Sequence, residues 1–233
     1  MKLDVLIICA HPDDAEISVG GAILKWVKSG RKVGIVDLTM GERGSRGDGE
    51  LRLQEADAAS RKLGIQIREN LRMPDCFFKD SQQNLIQVID CIRKYTPTIV
   101  LTNSLRDRHP DHARAAKLVA DACFYSGLGK IESEYQAWRP KTFYHFNQDY
   151  YNEPDFVIDI TPFIEEKIEV LKCYKSQFYD PTSSEPETPI SGSDFFDFVA
   201  ARARDFGRPA GYKFAEGFQV PRALGVNDLF DLD

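Results

Sequence analysis

Cysteine is scarce and scattered. The five cysteines among 233 residues, Cys9, Cys76, Cys91, Cys123 and Cys173, form no CxxC pair and are odd in number. That usage suits free thiols in a reducing compartment and argues against a thiolate zinc site. Long hydrophobic runs are also missing: the apolar stretch 5–10 follows Asp4 and stops at His11, too short for a signal h-region or a membrane span. A cytoplasmic protein with no membrane partner is therefore expected. No block of lysine and arginine is interleaved with aromatics, and the formal net charge is −6. A nucleic-acid partner is thus not expected, whereas a small molecule is. There is no repeat of solenoid length and no low-complexity tract.

What is present is an alternation. Apolar runs of strand length fall at 5–9, 32–38, 67–71, 98–101, 142–145 and 156–160, and between them residues 15–28, 50–63, 82–95 and 112–124 carry apolar side chains at spacings of three and four. Gly30 and Gly64 stand where helix C-caps belong. Two further helices are predicted over 161–178 and 192–207. The pattern implies an α/β fold: a Rossmann-like, mostly parallel sheet with helices on both faces, in a single domain over 1–233. Between the last two helices, residues 181–193 are rich in proline and serine; a lid over the site is the functional reading and a surface connector the plain one.

In open parallel sheets ligands gather at the carboxyl ends of the strands. That rule puts "AHPDD" after the first strand, "TMGERGSRG" after the second and "NSLRDRHPDH" after the fourth on one rim. Two tetrapeptides there resemble each other, His11-Pro12-Asp13-Asp14 and His109-Pro110-Asp111-His112, and they hold three of the four histidines. In each, the first and fourth residues are metal-ligand types that a turn into a helix can bring to one side. A catalytic zinc typically takes three protein ligands of this kind and leaves a place for water. His11, Asp14 and one of His109 and His112 complete such a set; the spacing does not choose between the two histidines. Asp13 is then a second carboxylate, available to take a proton from activated water. An isolated His-Pro-Asp is usually a helix-capping turn, so it is the pair that points to a metal.

The segment 41–52, "GERGSRGDGELR", has neither the Gly-Lys-Ser/Thr ending of a P-loop nor GxGxxG spacing. Its Arg43, Arg46 and Arg52, with Arg106 and Arg108 beside the second motif, place positive charge on the rim of an acidic protein and suit a carboxylate or phosphate. The alternative is that they pair with Glu42, Asp48 and Asp107. A lone His145 at a strand end is read as structural, Asp159 as a turn former, and Phe195, Phe196 and Phe198 as a packed helix face.

"AHPDDAE" with "RHPDH" resembles the LmbE-like, or PIG-L, family of zinc-dependent N-deacetylases acting on N-acetylglucosamine conjugates. "DLTMGERGSRG", "PDFVIDI", "YKSQF" and "AEGF" are most similar to its branch acting on N-acetylglucosaminyl malate in bacillithiol biosynthesis. The resemblance implies a Rossmann-like fold, with His11, Asp14 and His112 as metal ligands and Asp13 as general base. It further implies His109 as a partner of the tetrahedral intermediate and Arg52 in substrate binding. The rim charge of Arg43, Arg46 and Arg108 would suit an anionic aglycone. Zn2+ is the implied cofactor, with Fe2+ accepting the same ligands, and a homo-oligomer, trimer or hexamer, is a family trait. One departure is visible: where relatives carry a tyrosine near the start of the late helix, this chain has Phe195, leaving Tyr179 and Tyr212 as candidate hydroxyls. Two other functions share the residue types. Two histidines and a carboxylate also form the facial triad of mononuclear iron oxygenases, and a non-enzymatic acetamido-sugar-binding protein could use the same fold.

Overall fold

β1 (Val5–Cys9) is apolar at every position because both of its faces are covered. Val5, Ile7 and Cys9 point into one core, while Leu6, Ile8 and the following Ala10 point into another. The computed structural model describes residues 1–231. In it β1 lies at the centre of a seven-stranded sheet of order β3-β2-β1-β4-β5-β7-β6. β2 (Val33–Asp37), β3 (Ile67–Asn70), β4 (Ile99–Thr102) and β5 (Thr142–Phe146) continue it in parallel. β7 (Ala215–Gln219) runs antiparallel between β5 and β6 (Phe156–Asp159). Six strands lie where the apolar runs predict them; β7 was not among the expected strands.

The two cores are the two faces of this one sheet. α1 (Asp14–Lys28), α2 (Gly49–Leu63), α5 (Ile164–Leu171) and α6 (Phe195–Gly207) cover one face, and α3 (Gln82–Tyr95) and α4 (Pro110–Tyr125) the other. Local chemistry sets the ends. The Asp48 carboxylate accepts the Leu51 N–H at the start of α2, and Gly64 closes that helix at φ 72°. The helix expected over 161–178 is shorter. It opens with a 3-10 turn at Thr161–Phe163 and ends at Leu171. Beyond it, Tyr174 OH donates to Glu16 (2.8 Å), Ser176 donates to Glu55 through its N–H (2.8 Å) and hydroxyl (2.6 Å), and Phe178 enters the core. These tertiary contacts override the helical repeat.

α1 is interrupted at Val19 (φ −134°, ψ 19°). Where it resumes, the N–H groups of Gly21 and Ala22 donate to the Glu216 carboxylate at 2.9 and 2.8 Å, and Lys167 Nζ donates to the same group at 2.6 Å. Glu216 and Lys167 are both buried, so losing one partner would cost about 3–5 kcal/mol. This contact explains why a strand as polar as β7 sits inside the sheet. Among the described residues no helix is long and apolar enough to cross a membrane, and all five cysteines are free. The strand order reverses at β1, between β2 and β4, and the loops after these three strands meet there.

Candidate active site

The turn after β1 is held from several sides. The His11 N–H donates to Asp14 Oδ2 (2.9 Å), and the Ile17 N–H donates to the Asp13 carbonyl (2.9 Å). Asp13 lies in the left-handed region at φ 106°, a conformation that costs a non-glycine residue about 1–3 kcal/mol and calls for a compensating hold. Arg52 from α2 supplies it: Nη2 donates to the Pro12 carbonyl (3.0 Å) and to Asp13 Oδ2 (2.6 Å). Arg52 reaches the turn past Gly41, where a Cβ would lie 2.0 Å from Arg52 Nη1. Burial pushes the Asp13 carboxyl up to about 6, against the pull of the Arg52 charge.

The turn after β4 is built differently. α4 begins at Pro110, and the Asp111 N–H donates to Nδ1 of the capping His109 at 3.2 Å, which leaves Nε2 to carry the proton of the neutral ring. Burial and the charges of His11 and His112 press the His109 pKa down to about 4. His112 Nδ1 lies 2.7 Å from Asp107 Oδ2, and its Nε2 lies 3.2 Å from Asp14 Oδ1. His11 mirrors this arrangement, with Nε2 3.1 Å from Asp75 Oδ1 and Nδ1 3.6 Å from Asp14 Oδ2. Asp14 also accepts from Asn103 Nδ2 (3.1 Å) and Gln148 Nε2 (2.7 Å).

A divalent cation fits this donor set. Each of His11 and His112 has one ring nitrogen held by a carboxylate and the other turned toward Asp14, the way metal-binding histidines are usually oriented and made more basic. Burial opposes charge on both rings, yet the surrounding aspartates prevail: His112 is raised to about 9 and His11 well above its ordinary value. The His112 and His11 rings in turn hold Asp14 well below the usual carboxylate range despite its burial. The surrounding carboxylates thus favour positive charge between them, which a cation could supply in place of protons. Ring nitrogens of His11, His109 and His112 lie within 4.8 Å of one another. His11, Asp75 and Asp111 form a second close group, but Asp75 and Asp111 already accept the Cys76 N–H at 2.9 Å each, and also the Arg43 N–H and Arg114. These two aspartates therefore support His11.

One cavity of about 380 Å³ is lined by His11, Asp13, Asp14, His109 and His112 together with Arg43, Arg46, Arg52 and Arg108. These nine residues, all singled out from the sequence, meet there. The arginines differ in what they can do. Arg52 is committed to Asp13, so it acts on the carboxylate before it can act on a ligand. Arg108 pairs with Asp149; Arg46 is buried against Ser183 and Glu185; Arg43 is exposed over the Phe77 ring. None of the four takes Glu42, Asp48 or Asp107 as its ion-pair partner. Arg106 bonds to Tyr151 and Asn152 and does not line the cavity.

Residues 187–190 of the proline-rich loop form part of the cavity wall. Phe195 lines it too, stacked on Phe178 at 5.0 Å, but neither Tyr179 nor Tyr212 does. His145 holds the Asn103 carbonyl (2.7 Å) and Asp159 accepts the Thr161 N–H (2.9 Å), both structural contacts. Sequence reasoning missed Asp75, Asp107, Asn103 and Gln148, which orient the cluster. Of these only Asp107 carried a signal, being an acidic residue five positions before His112.

With this fold and site in place, the relatives are informative. The family model described as GlcNAc-PI de-N-acetylase matches residues 6–123; the chain belongs to this PIG-L family. It is 27% identical over 228 residues to the diacetylchitobiose deacetylase of Thermococcus kodakarensis, covering 92% of this chain and 82% of the relative. It is 28% identical over 203 residues to the 4-oxalmesaconate hydratase of Pseudomonas putida, covering 74% and 73%. The solved structure of the conserved protein TT1542 from Thermus thermophilus superimposes with a TM-score of 0.87 at 32% identity, over 97% of this chain and 98% of that one.

Proposed function

We propose that this protein is a metal-dependent N-deacetylase that frees the amine of an N-acetylglucosamine conjugate bearing an acid group, with N-acetylglucosaminyl malate of bacillithiol biosynthesis as the expected substrate. The observation that carries the reading is the buried Asp13 carboxylate, strained, held by Arg52, and sharing one cavity with His11, Asp14 and His112. His11, Asp14 and His112 would hold zinc or ferrous iron, which when bound lowers the pKa of water from ~15.7 toward ~7 and polarises a carbonyl. Asp13 takes the proton of the water whose oxygen bonds to the acetamide carbon. His109, with Nδ1 occupied by a backbone N–H, offers Nε2–H to the carbonyl oxygen as it gains negative charge. Asp13 then returns the proton to the departing nitrogen, the C–N bond breaks, and acetate and a free amine remain. The 181–193 loop serves as a lid over this cavity.

Acetate release is the deciding assay. It should be run on a panel of N-acetylglucosamine conjugates before chelation, after chelation, and after adding back zinc or ferrous iron. The reading predicts release that chelation abolishes and metal restores, greatest for the malate conjugate. No release from any conjugate would refute it. The hydratase among the relatives supports a second reading, addition of water across the double bond of an unsaturated polycarboxylate by the same base. The family match and the longer alignment with a deacetylase favour the first. Loss of the substrate's ultraviolet absorbance without acetate would favour the second.

A further inference from the structure

Arg46 is buried in the cavity wall, and among the described residues its guanidinium pairs with the 181–193 loop. Nη2 donates to Ser183 Oγ at 2.8 Å. Nε has no hydrogen-bond partner among the described residues and stands 3.6 Å from Glu185 Oε2. The same Glu185 carboxylate accepts the Gly47 N–H through both oxygens, at 2.9 and 3.2 Å. A guanidinium edge matched with a neighbouring backbone N–H is a recognised way of holding a carboxylate, and bidentate pairing is its strong form. Here the pairing is incomplete. Glu185 sits half in solvent and leaves Nε unsatisfied, so its hold is that of an exposed, weak ion pair.

We propose that Arg46 and the Gly47 N–H form a carboxylate-binding subsite, that Glu185 occupies it as an internal stand-in, and that the acid group of a ligand takes its place. The proposal rests on the deacetylase reading only for the source of that acid group, the aglycone of the substrate. Displacing Glu185 frees residues 183–185 from residues 46–47, while residues 187–190 of the same loop line the cavity. An acidic ligand therefore moves the loop, and a neutral sugar does not. Selectivity for acidic conjugates follows from a contest between two carboxylates for one guanidinium.

Calorimetric titration of the metal-loaded protein with sodium L-malate, inorganic phosphate and N-acetylglucosamine tests this. Glu185→Gln should tighten malate binding about two- to fivefold, the size of an exposed ion pair. Arg46→Gln should weaken it about tenfold or more and cancel the gain in the double variant; should Arg46→Gln fail to fold, Arg46→Lys, which keeps the charge and loses the fork, is read the same way. N-acetylglucosamine affinity should stay within about twofold throughout. Unchanged or weaker malate binding by Glu185→Gln would overturn the proposal, as would an equal gain for the neutral sugar. An equal gain for phosphate would overturn its assignment to carboxylate. If the malate shifts appear in protein that releases no acetate from any conjugate, the subsite stands and the deacetylase reading falls.

Discussion

The turns His11–Asp14 and His109–His112 share three letters of four but not a backbone. In the first, α1 begins only at the fourth residue, and the third, Asp13, is held left-handed with its carboxylate in the cavity. In the second, α4 begins at the second residue, and Asp111 is already helical, facing Cys76 and Arg114 behind His11. On the proposed reading, the same aspartate is a reactive group in one turn and a support in the other. What separates them is a neighbour: Arg52 pins Pro12 and Asp13, whereas His109 caps its own helix through Nδ1. A short motif defines which side chains are available, and the elements packed against it decide which way they face.

The contrast can be pressed from its largest consequence to its smallest. His112→Ala removes a proposed ligand backed by Asp107, so bound metal should fall from one equivalent toward none and acetate release should vanish. His109→Ala should keep the metal and lose about a hundredfold or more in rate. Elemental analysis beside the assay checks both, and equal metal loss in the two variants would erase the distinction between them. Asp111→Asn acts through His11 and should weaken metal affinity about tenfold to a hundredfold, read by competition with a chelator. Arg52→Gln should have the mildest effect at high pH. Burial already raises Asp13 to about 6 while Arg52 opposes the rise, so removing the guanidinium raises it further. The base is then protonated at higher pH, and the acid limb of the rate profile should move upward. A limb that stayed in place or moved down would break the link between the two residues.

Much of this was legible in the sequence. Strands that bury both faces, such as β1, announce themselves as continuous apolar runs, and α1 to α4 by their spacing. β7 did not, because its Glu216 is stabilised by Lys167 and the resumed N-terminus of α1, partners far away in the chain. The helix expected over 161–178 stopped short for a related reason: Tyr174 and Ser176 are bound to Glu16 and Glu55. At the site, paired motifs could be read because their residue types and spacing repeat. Asp75 and Gln148 could not, since each is one ordinary residue that long-range folding brings to the cluster. The same holds for Glu185, whose contact with Gly47 spans 138 positions.

The central claim is that Asp13 acts on protons while the residues around it hold the ion. Its most direct test is Asp13→Asn, assayed for bound metal and acetate release on one preparation. About one equivalent of divalent ion with turnover reduced a hundredfold or more is the predicted result; undiminished turnover, or loss of the ion together with activity, would contradict it.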